Sequence, residues 1–115
     1  MTLDDLIKAV EAGDDDAVKR IIYGMASAAR DKGEHFPIVD ISFAYYRNRL
    51  DAAKDLHKAL LPGWKVGVLH EEWNGKWLCR IYGLRPEDGA YAEASDPARA
   101  WLLAILKAKQ AEGRG

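Results

Sequence analysis

Apolar residues recur at helical spacing through the first third of the chain. Leu3, Leu6, Ile7 and Val10 form one stripe, preceded by the N-cap residue Thr2. Asp5, three residues after Thr2, makes an approximate capping box, and Gly13 supplies the stop. Asp14 restarts a helix, and Asp15 and Asp16 lie in its first turn, where carboxylates complement the helix dipole. Val18, Ile21, Ile22, Met25, Ala26 and Ala29 carry the pattern to about Lys32. Residues 1–33 therefore predict a helical hairpin with an acidic tip.

Residues 33–37 read as a loop, because Pro37 disfavours helix just before it. The next stretch, IVDISFAYY (38–46), fits neither period cleanly. Its β-branched and aromatic content permits a short strand, although its alternation is imperfect. From about Asn48, Leu50, Ala53, Leu56, His57 and Leu60 form a third helical stripe that Pro62-Gly63 ends.

The pattern then changes to period two. Trp64, Val66 and Val68 alternate with Lys65, Gly67 and Leu69, and Asn74-Gly75 is the strongest short turn signal in the chain. In residues 76–83, Trp77, Cys79 and Ile81 share one face, while Leu78, Arg80 and Tyr82 share the other. Neither face is cleanly polar, which predicts a sheet at least partly covered on both sides. A turn at residues 85–89 leads to a third short strand at 90–93. The last helix begins at Ser95 or Asp96, with Pro97 at its first position. Trp101, Leu102, Leu103, Ile105 and Leu106 lie nearly all round its middle, so it is expected to be the most deeply buried helix.

These elements predict an α+β fold: a three-stranded antiparallel meander sandwiched by helices, with an N-terminal helical hairpin. One domain spans residues 1–112, its α-β-β-β-α core lies in 48–110, and 113–115 form a flexible tail.

Composition narrows the function classes. A chain of 115 residues is long enough for one self-sufficient core, and 49% apolar with 30% charged residues is ordinary for a globular protein. A net charge of −1 argues against binding driven by a phosphate backbone. The single cysteine, Cys79, leaves no partner for an intramolecular disulfide and no cysteine zinc site. The acidic, amphipathic N-terminal stretch does not look like a secretion signal, and no segment is apolar enough to span a bilayer. A cytoplasmic protein is the expectation.

The helix LDAAKDLHKAL, the Pro62-Gly63-Trp64 entry into a strand, the Gly-containing hairpin and the AYAEASDPARA segment leading into an Ala/Leu-rich helix form a recognisable order. Over roughly residues 50–109 the chain resembles the phage ABA sandwich domain family, small phage and prophage proteins without an established activity. The resemblance rests on structural residues. It implies a sheet between helices, a phage origin and therefore a bacterial host cell; it carries over no catalytic residue. The N-terminal hairpin and residues 38–46 fall outside it.

The candidate chemistry is sparse. Ser95-Asp96-Pro97 opens a helix, where free N–H groups attract anions, but it lacks the glycines that let a phosphate approach, and Asp96 repels one. A self-capped helix start is the better reading. His70-Glu71-Glu72 resembles a fragment of a metal site, yet neighbours on a strand point apart, and His35 and His57 lie at unrelated spacings. Asp14-Asp15-Asp16 lacks the later ligands and the glycine of a calcium loop. Cys79 reads as a buried structural thiol. No catalytic, cofactor-binding or metal residue is assigned.

Two binding surfaces remain. Trp73, with Glu71 and Glu72, sits near a hairpin tip; it either serves as a contact hot spot or folds back onto a helix. Tyr45, Tyr46, Arg47 and Arg49 could stack on bases and neutralise phosphates, although Asp51 and Asp55 dilute the charge and a packed junction is favoured. The leading expectation is a non-enzymatic phage-type accessory protein that binds another protein, with inhibition of a host factor such as a defence system as the role the resemblance suggests. Its contact surface is Trp73, Glu71 and Glu72, with Asp14, Asp15 and Asp16 second. A nucleic-acid-binding accessory and a small enzyme are the alternatives. The closing helix and the N-terminal hairpin are candidate surfaces for a homodimer.

Overall fold

The computed structural model describes residues 2–114, with the side chains of 2–112. Five helices and three strands follow in the order α1 (Leu3–Ala12), α2 (Asp15–Asp31), α3 (Ile38–Tyr46), α4 (Leu50–Leu60), β1 (Lys65–Glu71), β2 (Trp77–Tyr82), β3 (Gly89–Ala94) and α5 (Pro97–Arg114). The fold is α+β, with an antiparallel sheet ordered β1-β2-β3 and an N-terminal helical pair. No helix among the described residues is long and apolar enough to cross a membrane.

The N-terminal pair forms where its caps dictate. Thr2 and Asp5 exchange both capping-box hydrogen bonds, at 2.8 and 3.2 Å. Gly13 ends α1 in the left-handed region (φ 67), which costs glycine nothing. Asp14 then caps α2 by accepting the Ala17 N–H at 3.1 Å. At the other end of the chain, Asp96 caps α5 by accepting the Arg99 N–H at 2.8 Å. With its amide nitrogen turned toward Asp96, Asn48 donates to both carboxylate oxygens at 2.9 and 3.2 Å.

Helix α5 is the centre of the molecule. It packs on all three strands on one side and on α1, α3 and α4 on the other. Ala98, Ala100, Leu102, Leu103, Ala104, Ile105, Leu106 and Ala108 are all buried. Each fully buried leucine or isoleucine contributes about 1.5–3 kcal/mol relative to an exposed one, which explains why a helix apolar nearly all round takes the middle position. These residues are spent inside the monomer, so α5 does not offer the dimer surface that its composition suggested.

The sheet departs from expectation in two ways. First, the strict alternation expected through Trp64, Val66 and Val68 is broken by a bulge between Val66 and Val68. Val66 lies opposite Ile81, whereas Val68 lies opposite Arg80 and Leu69 opposite Cys79. Beyond Gly67 the phase flips, and Leu69 instead of Val68 faces α5 with Cys79 and Ile81. Second, the helices lie on one side of the sheet. The opposite face carries Lys65, Val68, His70, Leu78, Arg80, Tyr82, Tyr91 and Glu93 by register. Tyr82 and Tyr91 there are 45% and 61% exposed, so the cover expected on both faces is present on one.

Residues 38–46, where a strand was permitted, are helix α3. Ile41, Ala44 and Tyr45 are buried, while Val39, Phe43 and Tyr46 are exposed. Apolar side chains on both faces of the helix erase the amphipathic signal that would have identified it. Helix α4 begins at Leu50, after Asn48 at φ 52. The backbone of α5 continues through Arg114; the rest of the tail expected at 113–115 lies outside the described residues.

Candidate functional site

The β1–β2 connection is a tight, internally bonded turn. The Gly75 N–H donates to the Glu72 carbonyl at 2.9 Å, and the Lys76 N–H donates to the Asn74 side-chain oxygen at 3.0 Å. The Glu72 N–H closes the hairpin on the Lys76 carbonyl at 2.6 Å, and Gly75 takes φ 84. This order places Trp73 at the first free position of the turn, where it is 96% exposed. It does not fold back onto a helix. A side chain that would release about 1.5–3 kcal/mol on full burial is instead held in water on a rigid support.

Glu71 and Glu72 flank it differently. Glu71 lies opposite Trp77 in the ladder, while Glu72 turns toward His70, whose Nε2 is 3.4 Å from the Glu72 carboxylate. His70 and Glu71 point to opposite faces, as strand geometry requires. Below the turn, the uncovered face adds Tyr82, Tyr91 and Arg80, whose guanidinium lies 5.6 Å from the Tyr91 ring centre. Trp73 and this face are the two exposed aromatic features of the hairpin. Sequence reasoning identified Trp73 but did not single out Tyr82 and Tyr91; the placement of Tyr82 beside Arg80 on the second face of β2 was the available signal.

The acidic tip is largely committed to structure. Asp14 caps α2, and the Asp15 carboxylate accepts the Tyr45 hydroxyl at 2.7 Å. The Asp15 carbonyl accepts the Tyr46 hydroxyl at 2.7 Å. Asp16 is exposed. A cleft of about 410 Å³ separates this end of α1 from the hairpin, with Glu11 and Gly13 on one wall and Lys76 and Glu93 on the other. Arg99 also lines it. Its cations and carboxylates balance, so the cleft has no net preference for an ion of either sign.

Three of the four proposed nucleic-acid residues are likewise occupied, while the Arg47 side chain is exposed. Tyr45 is buried, with the Arg99 guanidinium 4.3 Å from its ring centre. Burial, followed by the hydrogen bond to Asp15, pushes its hydroxyl well above the usual tyrosine range. Burial also raises Tyr46, with the nearby Asp15 charge adding to it. Arg49 holds Asp51 at 2.6 and 3.0 Å and covers Phe43. Stacking bases would require breaking these contacts.

The three histidines do not converge. His57 is buried between α4 and α5, His35 borders a shallow hollow with Lys32 and Phe36, and His70 lies on the open sheet face. Among the described residues, no three His, Cys, Asp or Glu side chains come together as a metal site would require. Burial pushes the Cys79 thiol up to about 12, so it stays protonated and unreactive at neutral pH.

No family model, curated protein or solved structure matches the chain.

Proposed function

We propose that this chain is a protein-binding domain that grips its partner with the hairpin tip and the uncovered sheet face. The observation that carries this reading is Trp73, 96% exposed on a turn fixed by three hydrogen bonds. Exposed aromatics on a rigid scaffold are the anchors that protein interfaces use, because little side-chain freedom is lost when they bind. Tyr82 and Tyr91 enlarge the surface, Arg80 supplies a charge that pairs with carboxylates, and Glu71 and Glu72 select basic groups beside the tip. A role directed at a host factor is part of the proposal; its support is the resemblance of residues 50–109 to phage ABA sandwich proteins.

Affinity capture from bacterial lysate tests it, using the wild type, Trp73→Ala, Tyr91→Ala and the distant control Tyr23→Ala. The expected result is a protein captured by wild type and Tyr23→Ala and lost with Trp73→Ala. Equal recovery by all four proteins removes the hairpin from the interface.

A further inference from the structure

Helix α3 carries an apolar stripe that the monomer covers only in part: Arg49 lies over one side of the Phe43 ring and the Tyr46 hydroxyl reaches Asp15. Its inward residues, Ile41, Ala44 and Tyr45, are buried against the core. Its outward residues, Val39, Phe43 and Tyr46, are 61%, 40% and 39% exposed. They follow one another at spacings of four and three, so they form a single stripe along two turns. The helix has a Pro37 start with no side-chain cap bond, so packing, and not capping, holds it. Helices that are apolar all round are normally buried all round.

The charges beside this stripe indicate what covers it. Asp40 and Arg47 are seven residues apart, two turns of helix, and therefore lie on the same flank. Among the described residues neither side chain forms a hydrogen bond or an ion pair. When two copies of α3 pack antiparallel about a two-fold axis near Phe43, the axis keeps each flank on its own side and reverses the helix direction. Asp40 of each copy then faces Arg47 of the other. Parallel packing offers no such pairing, so the charge pattern selects the antiparallel arrangement.

We propose that α3 is a self-complementary interface through which two copies of this chain associate, with Val39, Phe43 and Tyr46 at its centre and two Asp40–Arg47 pairs at its edges. The surface is remote in sequence from Trp73 and independent of the hairpin reading. The patch is small, which predicts a weak dimer that dissociates on dilution.

Sedimentation equilibrium from about 1 μM to about 1 mM, the range in which interfaces of modest area dissociate, tests the proposal. The wild type is expected to pass from monomer to dimer across that range. Phe43→Glu is expected to stay monomeric throughout, with an unchanged circular dichroism spectrum. Asp40→Arg and Arg47→Asp are each expected to weaken association about tenfold or more, the loss of about 1.4 kcal/mol. The doubly exchanged Asp40→Arg/Arg47→Asp chain is expected to recover it, which no structural damage at either position would mimic. A wild type that is monomeric at every concentration overturns the proposal. So does a dimer indifferent to Phe43→Glu and to the charge exchanges.

Discussion

The indole N–H of Trp101 donates to Nδ1 of His57 at 3.2 Å, while Nε2 of the same imidazole meets the Trp64 carbonyl at 2.9 Å. The ring thus joins α4, α5 and the entry to β1 with one donor and one acceptor. Both nitrogens are satisfied by the neutral tautomer with its proton on Nε2.

Replacing His57 with leucine keeps the volume but leaves a donor and an acceptor without partners. Each unpaired group costs about 1–3 kcal/mol, so His57→Leu is expected to lose about 2–6 kcal/mol of stability. Trp101→Phe removes the donor itself and strands one imidazole nitrogen, so a smaller loss is expected. Denaturant unfolding of both variants measures the order; a His57→Leu chain as stable as the wild type contradicts this account.

Gly67 and Tyr82 give a second prediction. A Cβ at Gly67 would run into the Tyr82 ring, which leans over the bulge on the uncovered face. Gly67→Ala is therefore expected to cost about 1–3 kcal/mol, the usual range for overpacking. In a Tyr82→Ala background the same substitution meets no ring, and the penalty is expected to shrink below about 0.5 kcal/mol. A double-mutant cycle by chemical unfolding reads the difference; equal penalties in both backgrounds would show that the backbone, and not the ring, requires glycine.

Acid sensitivity follows from three surface carboxylates. The Thr2 backbone N–H lowers Asp5, the Arg49 side chain lowers Asp51 and the Arg85 side chain lowers Asp88. A carboxylate lowered in the folded chain stabilises it above its unfolded value, about 3.9, and this stability drains away as pH falls through the folded value. The urea midpoint is expected to hold steady from about pH 7 to about pH 5 and to drop below about pH 4. Asp88→Asn should be less stable than the wild type at neutral pH and lose less on acidification. A wild-type midpoint that rises below pH 4 would reverse the sign of this argument.

What the sequence made legible follows from where the signals are local. The Thr2–Asp5 box, Gly13, Asp14 and the Asp96-Pro97 start are read within four residues, and each sits where expected. The inner face of Trp77, Cys79 and Ile81 was equally plain. Three features needed the third dimension. The bulge at Gly67 reverses the phase of β1 without any change in residue type. Helix α3 concealed its period because both of its faces are apolar. The Tyr45 hydroxyl and ring find Asp15 and Arg99 far away in the chain, so residues that looked ready for a nucleic acid were already engaged. Trp73 was visible as a candidate, but its exposure depended on how the turn closed.

The helix on which the sheet and three other helices close follows all of them in the chain. Until residues 97–108 leave the ribosome, Cys79 and Ile81 on one side and Leu6, Val10 and Leu56 on the other have no α5 to meet. A nascent chain that still lacks α5 therefore presents two apolar half-cores with nothing between them. A premature stop before Pro97 yields a polypeptide with the local signals of seven of the eight elements intact and no interior to hold them together.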